Sequence, residues 1–314
     1  MQPFPIKPIP IKRIDRLDQR FNLLPFIEEP SPQLTAAIVN LGLLHPPLLQ
    51  ETDDGRLVIV AGRKRLRVVG DLLKWPSCPC LLIPAGPDPL ATLALAMEEA
   101  LLSGPLSPLS RAILLQKALA LCSAQEEVAR RFLSRLALPP HALPTILALT
   151  TLEQPMALAL HEGRLDEKTA LVLTSLSFRD RLSVFELIET LQLSVSNQRN
   201  VIALCQDLAK RQDSSLHTLL SDQGLRAIIA HPESNLPQKA SAVLRYLREL
   251  QSPRLTEAEK KFSATVKRLA LPKGVALNHS PAFEKDELTL SASFADQAAF
   301  DRAWPALSAL LTPS

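Results

Sequence analysis

The chain has 314 residues, enough for roughly two or three compact units with ordinary hydrophobic cores. It is 46% hydrophobic and 21% charged, with 35 basic and 32 acidic side chains for a formal charge of +3. This composition excludes a disordered chain, and no apolar run reaches the ~18 residues that a membrane helix needs. The nearly balanced charge gives no reason to expect nucleic-acid binding, so any such contact must come from local clustering. Neither G-x-G-x-x-G nor G-x-x-x-x-G-K-[ST] is present, which argues against the common dinucleotide and P-loop sites.

The first hundred residues alternate short strand-like runs with short helices. Ile9 and Ile11 alternate with polar or proline positions, and Leu34, Ala37, Ile38 and Leu41 share a helical face that ends at Gly42. Leu48-Leu49, a turn at Asp53-Asp54-Gly55, the run Leu57 to Val60, the basic segment GRKRLRVVGDLL and Leu81 to Ile83 complete a small mixed α/β domain. From Pro108 to about Lys210 the strand signal vanishes. Ser123 with Glu126 has the form of a capping box before a stripe of Val128, Ala129, Phe132, Leu133 and Leu136, and Asp166, Ser177 and Ser194 or Ser196 mark further helix starts.

After the polar stretch HPESNLPQ, Pro237 precedes a helical face of Ala240, Val243, Leu244 and Leu247, and Thr256 with Glu259 is expected to cap the next helix. Val275 to Leu277, a loop containing EKDE, and the alternating Leu288, Leu290, Ala292 and Phe294 predict a hairpin, followed by a helix from about Asp296 to Leu311. The reading is thus a multi-domain α+β chain. It has an α/β domain over 1–104, a helical domain of helix-turn-helix type over 105–212, and helices, hairpin and helix over 213–314. The apolar alternation of the hairpin and Trp304 make this last part the expected homodimer interface.

The four cysteines, Cys78, Cys80, Cys122 and Cys205, form no C-x-x-C pair and are expected to be reduced and mostly buried. The N-terminus lacks an export-signal pattern, which makes the cytoplasm the expected address. The segment richest in chemistry is Gly62-Arg63-Lys64-Arg65-Leu66-Arg67, where a strand meets a glycine and then four cations in five positions. Glycine lets a phosphate approach the backbone, and guanidinium forks supply charge-assisted hydrogen bonds. The bland alternative is a solvated basic helix face.

Leu34 to Leu49, with Gly42-Leu43-Leu44-His45-Pro46, and Val58 to Arg67, with a G-x-x-R box at Gly62 and Arg65, resemble the ParB family of chromosome and plasmid partition proteins. Leu106-Ser107-Pro108-Leu109, Gln125 to Ala129, His161 to Ala170 and Leu193-Ser194-Val195 resemble further family landmarks, in the same order. The resemblance implies CTP with magnesium as ligand. Gly62, Arg63, Lys64, Arg65 and Arg67 would surround its phosphates, and Glu99 would stand on the magnesium side. It also implies DNA as partner, a homodimer, a partition ATPase as further partner and a nucleoid-associated location; that no membrane is involved is expected from the lack of a long apolar run.

Two departures bear on these expectations. The family's Glu-Asn-x-x-Arg motif falls on Glu99-Ala100-Leu101-Leu102-Ser103, so only the glutamate remains, which argues against CTP hydrolysis. The recognition-helix segment Leu138 to Thr150 offers His141 and Thr145 toward base edges but no cation, and Pro144 must sit in its first turn. Arg130, Arg131 and Arg135 just before it suit phosphate contacts. The leading reading is a non-catalytic DNA-binding partition or regulatory protein gated by CTP. The alternatives are a CTPase or other phosphoryl-handling enzyme, and an adaptor that has lost both CTP and specific DNA binding.

Overall fold

A computed structural model of the chain describes residues 4–86, 88–122, 124–269, 271, 274–280 and 287–311. Seven strands occur among the described residues: β1 (Ile6–Pro10), β2 (Ile14–Asp15), β3 (Leu48–Glu51), β4 (Leu57–Ala61), β5 (Ser77–Ile83), β6 (Val275–His279) and β7 (Leu288–Ala292). The first helices are α1 (Pro32–Leu41), α2 (Arg63–Arg67), α3 (Pro89–Leu102), α4 (Pro108–Leu121), α5 (Gln125–Val128), α6 (Leu143–Ala148), α7 (Gln154–His161), α8 (Glu167–Thr174) and α9 (Phe178–Leu191). They are followed by α10 (Val195–Arg211), α11 (Leu216–Leu220), α12 (Gln223–Ala230), α13 (Leu236–Gln251), α14 (Pro253–Leu269) and α15 (Gln297–Leu311). The chain is the expected multi-domain α+β fold, and it divides into two compact units, Met1–Arg199 and Asn200–Ser314. The three-part organisation expected from the sequence is finer than this, because α4 packs on α3 and draws the sheet and the helices after it into one body.

The sheet of the first unit runs β1-β5-β3-β4-β2, with β1/β5 and β3/β4 antiparallel and β3/β5 and β2/β4 parallel. All five residues of β4 are buried, as an unbroken apolar run requires when a strand is covered on both faces. Leu57 and Ile59 join Ile9, Ile14, Ile38, Leu49 and Leu66 in one core, and α3 packs on the same strand. Leu66 is the residue of α2 that enters this core, and the four cations of that helix lie outside it, all of them half-buried. Helix α1 starts two residues before its apolar face, since Ser31 caps it by accepting from the Leu34 amide, and Gly42 closes it at φ 77°.

The helical stretch follows the sequence closely. Asp166 and Ser177 cap α8 and α9 by accepting from the Thr169 and Asp180 amides. Pro144 sits in the first turn of α6, where its missing N–H costs nothing. The capping box expected at Ser123 lies outside the described residues. Helix α5 continues as a wider π turn over Ala129–Leu133 that buries Phe132 and Leu133.

In the second unit, α13 buries Ala240, Val243, Leu244 and Leu247 as expected, and a capping box of Asn235 and Gln238 that the sequence reading missed fixes its start. Helix α14 opens at Pro253, so Thr256, expected at its cap, falls inside the helix instead. Strands β6 and β7 form the expected antiparallel hairpin, while most of its EKDE loop lies outside the described residues. Phe262 of α14 meets His279 of β6 edge-on, and Phe294, Phe300 and Trp304 make an aromatic row into α15. No helix among the described residues is long and apolar enough to cross a membrane.

Candidate functional site

The strand-to-helix junction opens on a cavity of about 660 Å³, within the range of about 300–1,000 Å³ usual for small-ligand sites. Gly62, Arg63, Lys64 and Arg65 form one wall, with Glu28, His45, Glu99, Ser103, Ser107 and His161 among the residues facing them. Gly62 has φ 91°, and a Cβ there would lie 3.0 Å from Pro47 Cα and Cβ. Glycine takes this left-handed conformation without strain, and any side chain there would force Pro47 to give way by a few tenths of an ångström. Its carbonyl accepts the first helical hydrogen bond, from the Leu66 amide at 3.0 Å.

The cations of this segment all have partners. Arg65, only 17% exposed at its side chain, donates to the His45 carbonyl at 2.7 Å and to the Glu99 carboxylate. Lys64 Nζ is 2.7 Å from Glu28 Oε1. Arg63 points beneath the segment joining β2 to α1 and donates to the Arg16 and Asp18 carbonyls. Burial there makes the Arg63 guanidinium less favourable to charge, against the opposing pull of Asp18 and Asp15. Arg67 is not part of the cavity wall; it donates to the Glu28 carbonyl at 3.3 Å and to Glu29 at 2.9 Å.

These contacts define a strap, residues 16–30, which the sequence reading missed. Its first part is held by carbonyl acceptors: Arg63 from α2, and Lys117 from α4, which donates to Gln19 and Arg20. Burial lowers the proton affinity of Lys117, with Arg63 adding to the effect and Asp18 opposing it. Phe21 and Leu24 are buried beside these anchors. The far part of the strap is held differently. Glu28 bridges Lys64 and His161, with Oε1 3.1 Å from His161 Nε2, and Phe26 packs edge-on against the same imidazole at 5.7 Å.

His161 Nδ1 lies 2.8 Å from Ser107 Oγ, so hydroxyl, imidazole and carboxylate stand in a row along the cavity. The row is a fastening rather than a nucleophilic triad. Ser107 Oγ caps α4 by accepting from the Ser110 amide at 3.2 Å, and the carboxylate is shared with Lys64. No spacing rule leads from the sequence to this row, since 133 residues separate Glu28 from His161.

The donor set does not form a protein-held magnesium site. Glu99 gives its carboxylate to Arg65, and no cluster of three or more His, Cys, Asp or Glu suited to a metal occurs among the described residues. The other candidate cations are likewise paired within the fold. Arg135 makes a two-pronged contact with Glu98 of α3 at 2.7 and 2.9 Å, Arg131 reaches Asp88 at 3.3 Å and Glu127 at 3.1 Å, and Arg130 holds Glu127 at 2.5 Å. Arg131 and Arg135 fasten the turn after α5 to α3, whereas Arg130 pairs within its own turn. His141 and Thr145 are exposed on the segment that follows.

No protein-family model matches the chain, and no curated protein matches it. Among solved structures it is similar to the C-terminally truncated chromosome-partitioning protein ParB from Caulobacter crescentus complexed to the centromeric parS site, at 20% identity, over 61% of this chain and 96% of that one, with a TM-score of 0.34. It is also similar to the same truncated protein complexed with CTP-gamma-S, at 22% identity, over 55% of this chain and 93% of that one, with a TM-score of 0.27.

Proposed function

We propose that the chain is a ParB-like, non-catalytic DNA-binding regulator that takes a nucleoside triphosphate, CTP, in the cavity beside Gly62. The observation that carries this reading is the junction itself: a glycine pressed under Pro47, with Lys64 and Arg65 on the wall of a cavity large enough for a nucleotide. Lys64 and Arg65 would hold the phosphates, and the close approach at Gly62 would bring them to the backbone. The pairing of Glu99 with Arg65 speaks against a role for that carboxylate in hydrolysis, so the protein's work is binding and orientation. Titration of CTP into the full chain by calorimetry tests the reading. Binding that disappears in Arg65→Ala supports it, and absence of heat with the wild-type protein refutes it.

DNA binding would rest on phosphate contacts, with affinity falling steeply between two ionic strengths in a mobility-shift assay. The pairing of Arg130, Arg131 and Arg135 with carboxylates favours a second reading, an adaptor that keeps the nucleotide cavity without a DNA surface. Indifference to every DNA tried, with CTP binding intact, selects that reading. Either version would associate as a homodimer through the C-terminal hairpin and helix, whose Leu288, Leu290 and Trp304 are exposed; monomer at micromolar concentration by light scattering refutes this.

A further inference from the structure

The cavity already contains two anions, and they sit on the two cations assigned to the ligand. Glu28 holds Lys64 and Glu99 holds Arg65. Glu99 belongs to α3 and is fixed by its helix, but Glu28 belongs to the strap. The strap is anchored unequally. Residues 16–20 are tied by donors to backbone carbonyls, with Phe21 and Leu24 buried next to them. Residues 26–29 are held mainly through their own side chains, Glu28 to Lys64 and His161, Glu29 to Arg67 and the Phe26 ring on His161, with one donor to a carbonyl, from Arg67 to Glu28 at 3.3 Å. Ile27, between Phe26 and Glu28, is exposed. A polyphosphate that bonds Lys64 competes with the Glu28 carboxylate for the same half-exposed ammonium, since two anions brought to one cation repel each other.

Resting on the reading of this cavity as a triphosphate site, we propose that Glu28 is a built-in competitor of the ligand: it occupies Lys64 in the free protein, and an incoming triphosphate displaces it and so unfastens the distal part of the strap from His161 of α7. Affinity is then set by exchange of one anion for another. Removing the resident negative charge tightens binding, the opposite of what removing a ligand or metal contact would do. Glu29, which pairs with Arg67 off the cavity wall, is the matched control because its loss changes the net charge identically.

The test is calorimetric titration of magnesium CTP into the full chain as wild type, Glu28→Gln and Glu29→Gln, each confirmed folded by thermal melting. Glu28→Gln should bind about fivefold tighter than wild type, the scale of a partly exposed ion pair, and Glu29→Gln should stay within about twofold. Equal or weaker binding by Glu28→Gln overturns the proposal, as does equal tightening by both variants, while CTP binding by the wild type leaves the nucleotide reading standing. No binding by any of the three proteins removes that reading and the proposal together. A second measurement needs no variant: saturating CTP should speed chymotrypsin cleavage after Phe26 in the wild-type chain, and unchanged or slower cleavage counts against strap release.

Discussion

At Gly62 and at the cysteines, residue type alone discloses part of the local structure. The glycine was legible as a point where a strand meets a helix, but its neighbour was not, because Pro47 comes from a different strand approach. Gly62→Ala places a methyl group 3.0 Å from Pro47 at φ 91°, so it should destabilise the first unit by about 1–3 kcal/mol and abolish CTP binding. Thermal melting and calorimetry check both, and an unshifted melt would show that the close approach is not a constraint. The thiols were expected to be buried, and Cys78, Cys80 and Cys205 are. Burial pushes Cys205 up to about 12, and Cys80 is raised by its hydrogen bond to Cys78 and by burial. Only Cys122 is partly accessible, so a thiol reagent should titrate one group quickly in the native protein and four after denaturation. Two or more fast thiols would show that β5 or α10 opens.

Elements were legible where their ends carry chemistry that acts over three or four residues. Asp166 was a cap in the sequence because it precedes an apolar helical run, and it accepts from the Thr169 amide at 3.1 Å. Its second role was hidden: Arg199 of α10 grips both its oxygens at 2.7 and 2.9 Å, and its own amide donates to the buried Gln198 side chain. The hydrogen bond from Arg199, above all, holds the Asp166 carboxyl below the ordinary value of 3.8. Its folded pKa is therefore the lower one, so the stabilisation is present above pH ~4 and is lost as pH falls through the folded value. Asp166→Asn keeps a capping oxygen but loses the charge, so denaturation near neutral pH should show about 1 kcal/mol less stability, with the gap closing on acidification below pH ~4. A gap that persists undiminished in acid would mean that geometry, not charge, makes the contribution.

At the scale of the whole molecule, the sequence shows where charges lie but not what neutralises them. The segment from Arg63 to Arg67 reads as a free basic surface, yet its partners come from the strap, α3 and the loop before β3, between 20 and 47 residues away for Arg63 and Arg65. The strap has neither strand nor helix period, so nothing in its composition marks it as the cover of a cavity. The same long-range pairing hides the role of Arg135, whose carboxylate is 37 residues earlier.

The division into two compact units gives the ligand hypothesis a thermodynamic signature. Two units with separate cores should unfold in two calorimetric transitions rather than one. The cavity is lined only by residues between Phe21 and His161, all within the first unit. A ligand that binds a folded unit and not its unfolded chain stabilises that unit alone, by about 2.7 kcal/mol at a hundredfold excess over Kd. For a unit of this length that corresponds to a rise of roughly 5–10 °C in its midpoint. Scanning calorimetry with CTP should therefore move one transition and leave the other in place. A shift of both by the same amount would show that the ligand contacts the second unit or that the two units unfold together, and no shift would remove CTP from the cavity.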